Sequence, residues 1–219
     1  MELKEAIKLR HTVRKFKADS IPEDIVAKIN SRIEELNSRY NLSMRLVQDF
    51  NKGVWSILKF ISKNTSNFVL LAIKEENDKQ KEFLGYASSD LMLYIQTLGL
   101  NSWWIGGTYS NKVEQFASQE IVRGILVIGY GENQGKPHKS KTYEEVASYK
   151  GEPPSWFKDG VQAALDAPTA MNKQAFKIEG EDNKVKIIYK ESGFSNEDLG
   201  IVKHHFEIGA GKENFTFEE

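Results

Sequence analysis

Apolar positions follow two rhythms along this chain, one of helical period and one of strand-like runs. Leu3, Ala6, Ile7 and Leu9 fit a short helix at the start. Ser20-Ile21-Pro22-Glu23-Asp24 reads as the opening of a second helix. There Ser20 is a candidate N-cap, Pro22 suits the first turn, and the two acids favour the positive end of the helix dipole. Ile25, Ile29, Ile33 and Leu36 then share one face. The apolar run Asn67–Lys74 predicts a buried strand, and Glu82–Leu98 a long, mostly apolar helix. Asn101–Tyr109 reads as a turn or short strand, and Ile121–Tyr130 as a second strong strand.

The C-terminal third repeats part of this order. The Pro22 segment has a counterpart at Pro154–Val161, and the strand near Leu70 one at Lys184–Tyr189. Glu82-Phe-Leu-Gly-Tyr-Ala resembles Glu197-Asp-Leu-Gly-Ile-Val. A helix–strand–helix unit therefore reads as occurring twice, the second time in shorter form. The alternative is that any two α+β segments share such a pattern. The turn-rich Gly151-Glu-Pro-Pro-Ser marks the boundary, dividing the chain into 1–150 and 151–219. The second half has nothing like the Ile121–Tyr130 strand and reads as too short to hold a good core alone, so it is expected to complete one folded unit with the first. The tail Lys212–Glu219, with Phe215 and Phe217, is expected to add an edge strand.

Composition narrows the function. The chain is 40% hydrophobic and 28% charged, a globular balance, and 219 residues allow a sizeable core. A net charge of -1 argues against nucleic acid as the main partner. The absence of cysteine excludes disulfides, iron–sulfur clusters and thiol nucleophiles. His11, His138, His204 and His205 show no metal-ligand spacing, so no metal is expected. No apolar run approaches the ~20 residues of a membrane helix. The charged N-terminal segment lacks a signal-peptide core, so the expected compartment is the cytoplasm.

Four segments carry candidate chemistry. In Arg10-His-Thr-Val-Arg14-Lys-Phe16 the two arginines are four apart and would share a side of a helical turn, suited to gripping phosphate. Lys136-Pro-His-Lys139-Ser-Lys141 follows the Ile121–Tyr130 strand. For both basic segments the alternative is a solvated charged surface. Asn101–Thr108 ends in Ile105-Gly106-Gly107, whose backbone amides can approach a ligand closely. Ala167-Pro168-Thr169-Ala170-Met171-Asn172-Lys173-Gln174-Ala175-Phe176 ends an amphipathic helix (Val161, Ala164, Leu165). Its small residues let the chain lie close to a flat ring, and Asn172 can both donate and accept.

Together these segments resemble the nitroreductase family of FMN-dependent oxidoreductases, most closely its diverged single-chain branch. The family patterns are R-[RH]-[ST]-x-R-x-F and A-P-[ST]-x-x-N-x-Q-P-[WF], followed by a strand, a loop and a K-[SP]-[RK] pair. The resemblance implies an α+β nitroreductase-like fold, with a mixed or antiparallel sheet flanked by helices. It implies that Arg10, Thr12, Lys139 and Lys141 hold the FMN phosphate, with His11 as a phosphate or ring contact. Arg14 would stabilise negative charge on reduced flavin, and Ile105, Gly106 and Gly107 would line the pyrimidine edge and N5. Pro168, Thr169, Ala170, Asn172 and Gln174 would close on the ring. In family homodimers that last segment comes from the partner subunit; here the second half would supply it, making a pseudo-dimer with one site. Departures are Ala175 in place of proline and Gly106 where many members carry glutamate. Trp103 and Trp104 are read as core or pocket wall, and His204 and His205 as surface or core-edge residues.

The implied activity is hydride transfer from NAD(P)H to FMN and on to a small-molecule acceptor such as a nitroaromatic or quinone. No side chain serves as nucleophile. The alternative is an FMN-binding protein without turnover, for storage or sensing. A monomeric pseudo-dimer is expected, with a homodimer also open.

Overall fold

A computed structural model describes residues 1–191 and 193–218 of the chain. Helix α1 (Leu3–Leu9) and the long α2 (Glu23–Tyr40) come first. They are followed by β1 (Arg45–Val47), β2 (Phe68–Ile73), α3 (Asp78–Thr97), β3 (Asn101–Ile105) and β4 (Ile121–Gly129). The first half ends with α4 (Tyr143–Val146) and β5 (Ala147–Tyr149), and the second holds α5 (Ser155–Leu165), β6 (Phe176–Glu181), β7 (Lys184–Tyr189), α6 (Ser195–Ala210) and β8 (Thr216–Phe217).

The strands form two four-stranded sheets, ordered β1-β2-β4-β3 and β5-β6-β7-β8. The first is wholly antiparallel. Its central strand β2 is buried at every position, because both faces are covered. Val69, Leu71 and Ile73 face the core built with α2 and α3, through Ile29, Ile33, Leu36, Leu84, Leu91 and Ile95. Phe68, Leu70 and Ala72 face a second cluster with Val13, Phe16, Val54 and Trp103. The alternation follows from the period of two along a strand. Each fully buried side chain of this size contributes roughly 1.5–3 kcal/mol.

The second sheet is mixed: β6 and β7 pair antiparallel, while β5 and β8 join their outer edges in parallel. Phe176, Ile178 and Gly180 point inward along β6, whereas Lys177, Glu179 and Glu181 point out. Contrary to the expectation of a half without a good core, Phe157, Val161, Phe176, Ile178, Val185, Ile201 and Phe206 form a contiguous buried cluster. The tail does add an edge strand, Thr216–Phe217 beside β7, with Phe215 packed into that cluster; Glu219 lies outside the described residues.

The halves meet where α3 crosses α6. A Cβ on Gly85 would lie 1.9 Å from the Glu197 carbonyl oxygen, and one on Gly200 would lie 1.9 Å from that of Glu82. Only glycine on both helices permits so close a crossing. Ion pairs flank it: Arg123 on β4 reaches the buried Glu197 at 2.7 Å, and Lys203 reaches Glu82 at 2.7 Å.

Several local expectations shift. Ser20 does not cap α2; Pro22 occupies the cap position in an extended conformation, with no side-chain cap. Helix α3 begins at Asp78, four residues earlier than the apolar pattern suggested, because Asn77 caps it through a bond from the Gln80 amide. Arg10 and Arg14 do not share a helical turn, since α1 ends at Leu9 and the chain continues extended. His204 and His205 are neither surface nor core-edge: both are buried in the α3–α6 interface.

Candidate functional site

The segment Arg10–Phe16 runs as a strand-like stretch beside β3, with Thr12 bridging Ser102 in parallel and the Val13 amide donating to the Ser102 carbonyl at 3.1 Å. Val13 and Phe16 are anchored in the core, while Arg14 stays exposed. Four residues of extended chain cover roughly 13 Å. Arg10 and Arg14 therefore stand apart along the segment rather than side by side.

At the Arg10 end, three segments converge. Arg10 itself is buried, 3% exposed, and its Nε–H has no hydrogen-bond partner. Burial pulls its pKa down to about 10, against the opposing pull of Asp166. His11, half-buried beside it, is pushed below the usual imidazole value, first by burial and then by the charges of Arg10 and His138. The loop after β4 folds over this corner at Gly135, where a Cβ would meet that of His11 at 2.7 Å. It delivers Lys136–Lys141, whose lysines are exposed.

The Ala167–Phe176 segment locks onto the same loop. The Leu165 carbonyl, at the end of α5, accepts from His138 Nε2 (2.9 Å), Ser140 Oγ (3.2 Å) and Gln174 Nε2 (2.7 Å). Gln174 Oε1 accepts from the Lys141 amide at 2.7 Å, and Asn172 Nδ2 donates to the Lys139 carbonyl at 2.8 Å. The loop after β4 and the segment after α5 are thus joined directly. Gln174 is fully buried and its amide is engaged at both ends, so it braces the loop. Lys141 Nζ donates to the Gln174 carbonyl at 2.8 Å. Thr169, half-buried, accepts from the Gln174 amide. Met171, Asn172 and Gln174 have φ of 53°, 53° and 45°, a sparsely populated region for such residues.

What holds that strained loop is Asp198, which the sequence reading did not single out. Both its carboxylate oxygens accept from the Ala170 amide at 3.0 Å, and one accepts from the Tyr189 hydroxyl at 2.7 Å. Burial raises its pKa to about 6, although the Tyr189 and Ala170 bonds pull the other way. Nothing in the sequence marks it, since an acid in the first turn of a helix is ordinary.

At the other end, the Arg14 guanidinium lies 5.4 Å above the Trp103 ring. The Arg14 carbonyl accepts from the Lys63 amide, and the Thr108 carbonyl from the Trp55 amide. These bonds bring Trp55–Lys63 alongside Arg14 and the glycine turn. Trp55, Ile57, Phe60 and Ile61 there are exposed, Phe60 by 90%. Their low resemblance to a fixed motif kept them out of the sequence-based candidates. Ile105 is buried, Gly107 is open with no heavy atom near a built Cβ, and Gly106 lies under the Phe194 ring, which a Cβ would strike at 2.5 Å. Trp104 packs edge-on to Phe194 and donates from Nε1 to Ser88. Trp103 is core, and Trp104 is half-buried against the neighbouring core.

A helix-flanked antiparallel sheet, with a cationic corner at one end and an open glycine turn at the other, defines a protein of the nitroreductase fold. A model for the family described as "Putative TM nitroreductase" matches residues 2–210, and the chain belongs to that family. Among solved structures it resembles a "putative nitroreductase" of Thermotoga maritima, with a TM-score of 0.67 at 20% identity, over 97% of this chain and 85% of that one. An FMN-dependent nitroreductase of Clostridium difficile aligns with a TM-score of 0.51 at 21% identity, over 64% of this chain and 95% of that one. A nitroreductase-type structure from Exiguobacterium sibiricum, in complex with FMN, aligns with a TM-score of 0.56 at 15% identity, over 68% of this chain and 98% of that one. No curated protein matches. Among the described residues, no helix is long and apolar enough to cross a membrane.

Proposed function

We propose that the chain is an FMN-dependent oxidoreductase that takes hydride from NAD(P)H and reduces a small acceptor such as a nitroaromatic or quinone. The observation that carries this reading is Arg10: a buried cation with an unpaired Nε–H, at the corner where the Lys136–Lys141 and Ala167–Phe176 segments close together. A buried guanidinium that feels Asp166 but forms no ion pair with it calls for an anion, and phosphate matches its geometry. Family membership and FMN-bearing structural relatives support the same conclusion.

In this reading Arg10, the Thr12 hydroxyl, Lys139 and Lys141 hold the phosphate, with His11 beside it. Gly107 leaves room along the backbone for a flat ring, with Ile105 and Gly106 as its floor. Pro168, Thr169, Ala170 and Asn172 form the opposite wall, braced by Gln174 and by Asp198 behind them. Bound FMN would supply the hydride chemistry itself. The chain's own part is orientation, plus the positive charge of Arg14 placed where negative charge develops on reduction. Phe194 over Gly106 screens that side from water.

A single-chain pseudo-dimer with one site, divided as 1–150 and 151–219, accounts for the split of motifs. Two features support it. Helix–antiparallel pair–helix occurs in both halves, as α2/β1-β2/α3 and α5/β6-β7/α6. The Gly85 and Gly200 contacts are reciprocal, each glycine meeting the residue three before the other, as across a two-fold axis.

The test is an absorbance scan of purified protein, followed by NAD(P)H oxidation with a nitroaromatic or quinone. Flavin bands and acceptor-dependent turnover are expected. A colourless protein that takes up no added FMN would refute the reading; a yellow protein without turnover would reduce it to flavin binding.

A further inference from the structure

Among the described residues five buried side-chain polar atoms lack partners; besides Gln80 Oε1, Gln96 Oε1 and the Tyr143 hydroxyl there are two that are complementary. One is the donor Nε–H of Arg10; the other is Nε2 of His205, whose side chain is wholly buried. The bonds around His205 settle its tautomer. Its Nδ1 lies 3.1 Å from the Ile201 carbonyl and 2.9 Å from Ser89 Oγ. A carbonyl only accepts, so Nδ1 carries the hydrogen and Nε2 presents a lone pair. Ser89 Oγ–H is then free to donate to His204 Nδ1 at 2.9 Å, and His204 Nε2 faces Asp90 at 3.6 Å. Asp90 is fixed by Arg32 through Nε at 2.7 Å and a terminal nitrogen at 2.6 Å. A polar chain thus runs from a half-buried carboxylate inward, and ends on an unused acceptor.

The unused donor stands near that end. Ile7 of α1 packs in one cluster with Ile208 of α6. Arg10, the C-cap of α1 with its amide bonded to the Ala6 carbonyl, lies three residues beyond Ile7, and His205 lies three before Ile208, so each sits near its packed neighbour. The two side chains are also electrically close: burial chiefly keeps His205 well below the usual imidazole value, and the charges of His204 and Arg10 add to it. A neutral imidazole is the form that can accept from an arginine.

Resting on the reading of Arg10 as the phosphate-holding cation, we infer that His205 is its positioning residue: the His205 Nε2 lone pair takes the Arg10 Nε–H through one buried water and fixes the guanidinium toward the anion. Leaving either atom unpaired in a dry interior is costly, which favours their pairing. The arrangement ties the anion end of the site to the crossing of the two halves, through Ser89 on α3 and His205 on α6.

The experiment compares wild type, His205→Phe and His205→Gln in titrations with FMN and with riboflavin, which lacks the phosphate. His205→Phe is expected to weaken FMN by about tenfold, the equivalent of one hydrogen bond to a charged group, and to leave riboflavin unchanged. His205→Gln, which can present an amide oxygen, is expected to recover most of the loss. Unchanged FMN affinity in His205→Phe, or equal losses for both flavins, overturns the assignment. If wild type binds neither flavin, the function reading fails and inorganic phosphate decides the rest. A rise in wild-type melting temperature with phosphate that is absent in His205→Phe and present in His205→Gln supports the pairing. No phosphate effect in wild type overturns it.

Discussion

Gly85 of α3 and Gly200 of α6 hold the two helices in backbone contact, each with room for a hydrogen and nothing larger: a Cβ on either would sit 1.9 Å from a carbonyl oxygen of the other helix. Backbone cannot yield as the tip of a flexible side chain can. Gly200→Ala or Gly85→Ala must therefore push the helices apart, breaking the packing around the Ser89 pairs with His204 and His205. Each substitution is expected to destabilise the fold by about 3 kcal/mol, at the upper end for overpacking. Chemical denaturation measures it. A loss near zero, or the gain normally expected of alanine in a helix, would show that the crossing is looser than this.

The pH dependence of Asp198 has a definite sign. Its folded pKa, about 6, lies above the ordinary carboxylate value, so the folded chain binds a proton that the unfolded chain releases. This group's contribution favours folding at low pH and is lost as pH rises through 6. Asp198→Asn removes the titration. The stability of the variant relative to wild type should be greater at pH 8 than at pH 4, by roughly 2 kcal/mol. Denaturation curves at the two values check it, and the difference between the two proteins cancels all other titrating groups. An identical gap at both would disprove the raised pKa.

Arg10→Ala should weaken FMN by roughly 1.5–3 kcal/mol, or about ten- to a hundredfold. Riboflavin should bind wild type much more weakly than FMN and be little affected by the substitution. Unchanged FMN affinity would place the phosphate elsewhere.

The single-site pseudo-dimer predicts the outcome of mixing. Asn172 and Lys139 are hydrogen bonded within one chain, so the Lys136–Lys141 loop and the Ala167–Phe176 segment meet inside one polypeptide. Arg10→Ala mixed with Asn172→Ala should restore no FMN binding. Recovery toward half the wild-type level would mean that the walls meet between chains.

Much of the fold was legible in the sequence because periodicity is local. The runs that became β2, β4 and β7 were visible as apolar or alternating strings, α2 and α5 as helical stripes, and α6 through its likeness to the start of the Glu82 helix. The start of α3 was not, because an Asn77 cap rather than an apolar residue sets it. The core of the second half was underestimated because its aromatics, among them Phe157, Phe206 and Phe215, come from separate elements and gather only on folding.

The sequence by itself determined the element types, the two basic segments and the two glycines, since each depends on neighbours a few residues away. Tertiary structure decided what those residues are for. Arg10 and Arg14 look equivalent in sequence, yet one is buried and feels the charge of Asp166 while the other lies exposed over Trp103, because Arg10 sits at the packed end of α1 and Arg14 four residues further along an extended segment. His204 and His205 look like ordinary polar residues of a surface helix. They are buried because Gly85 and Gly200 draw α3 and α6 so close that Ser89 can reach both imidazoles, and proximity of that kind is set by packing between distant segments.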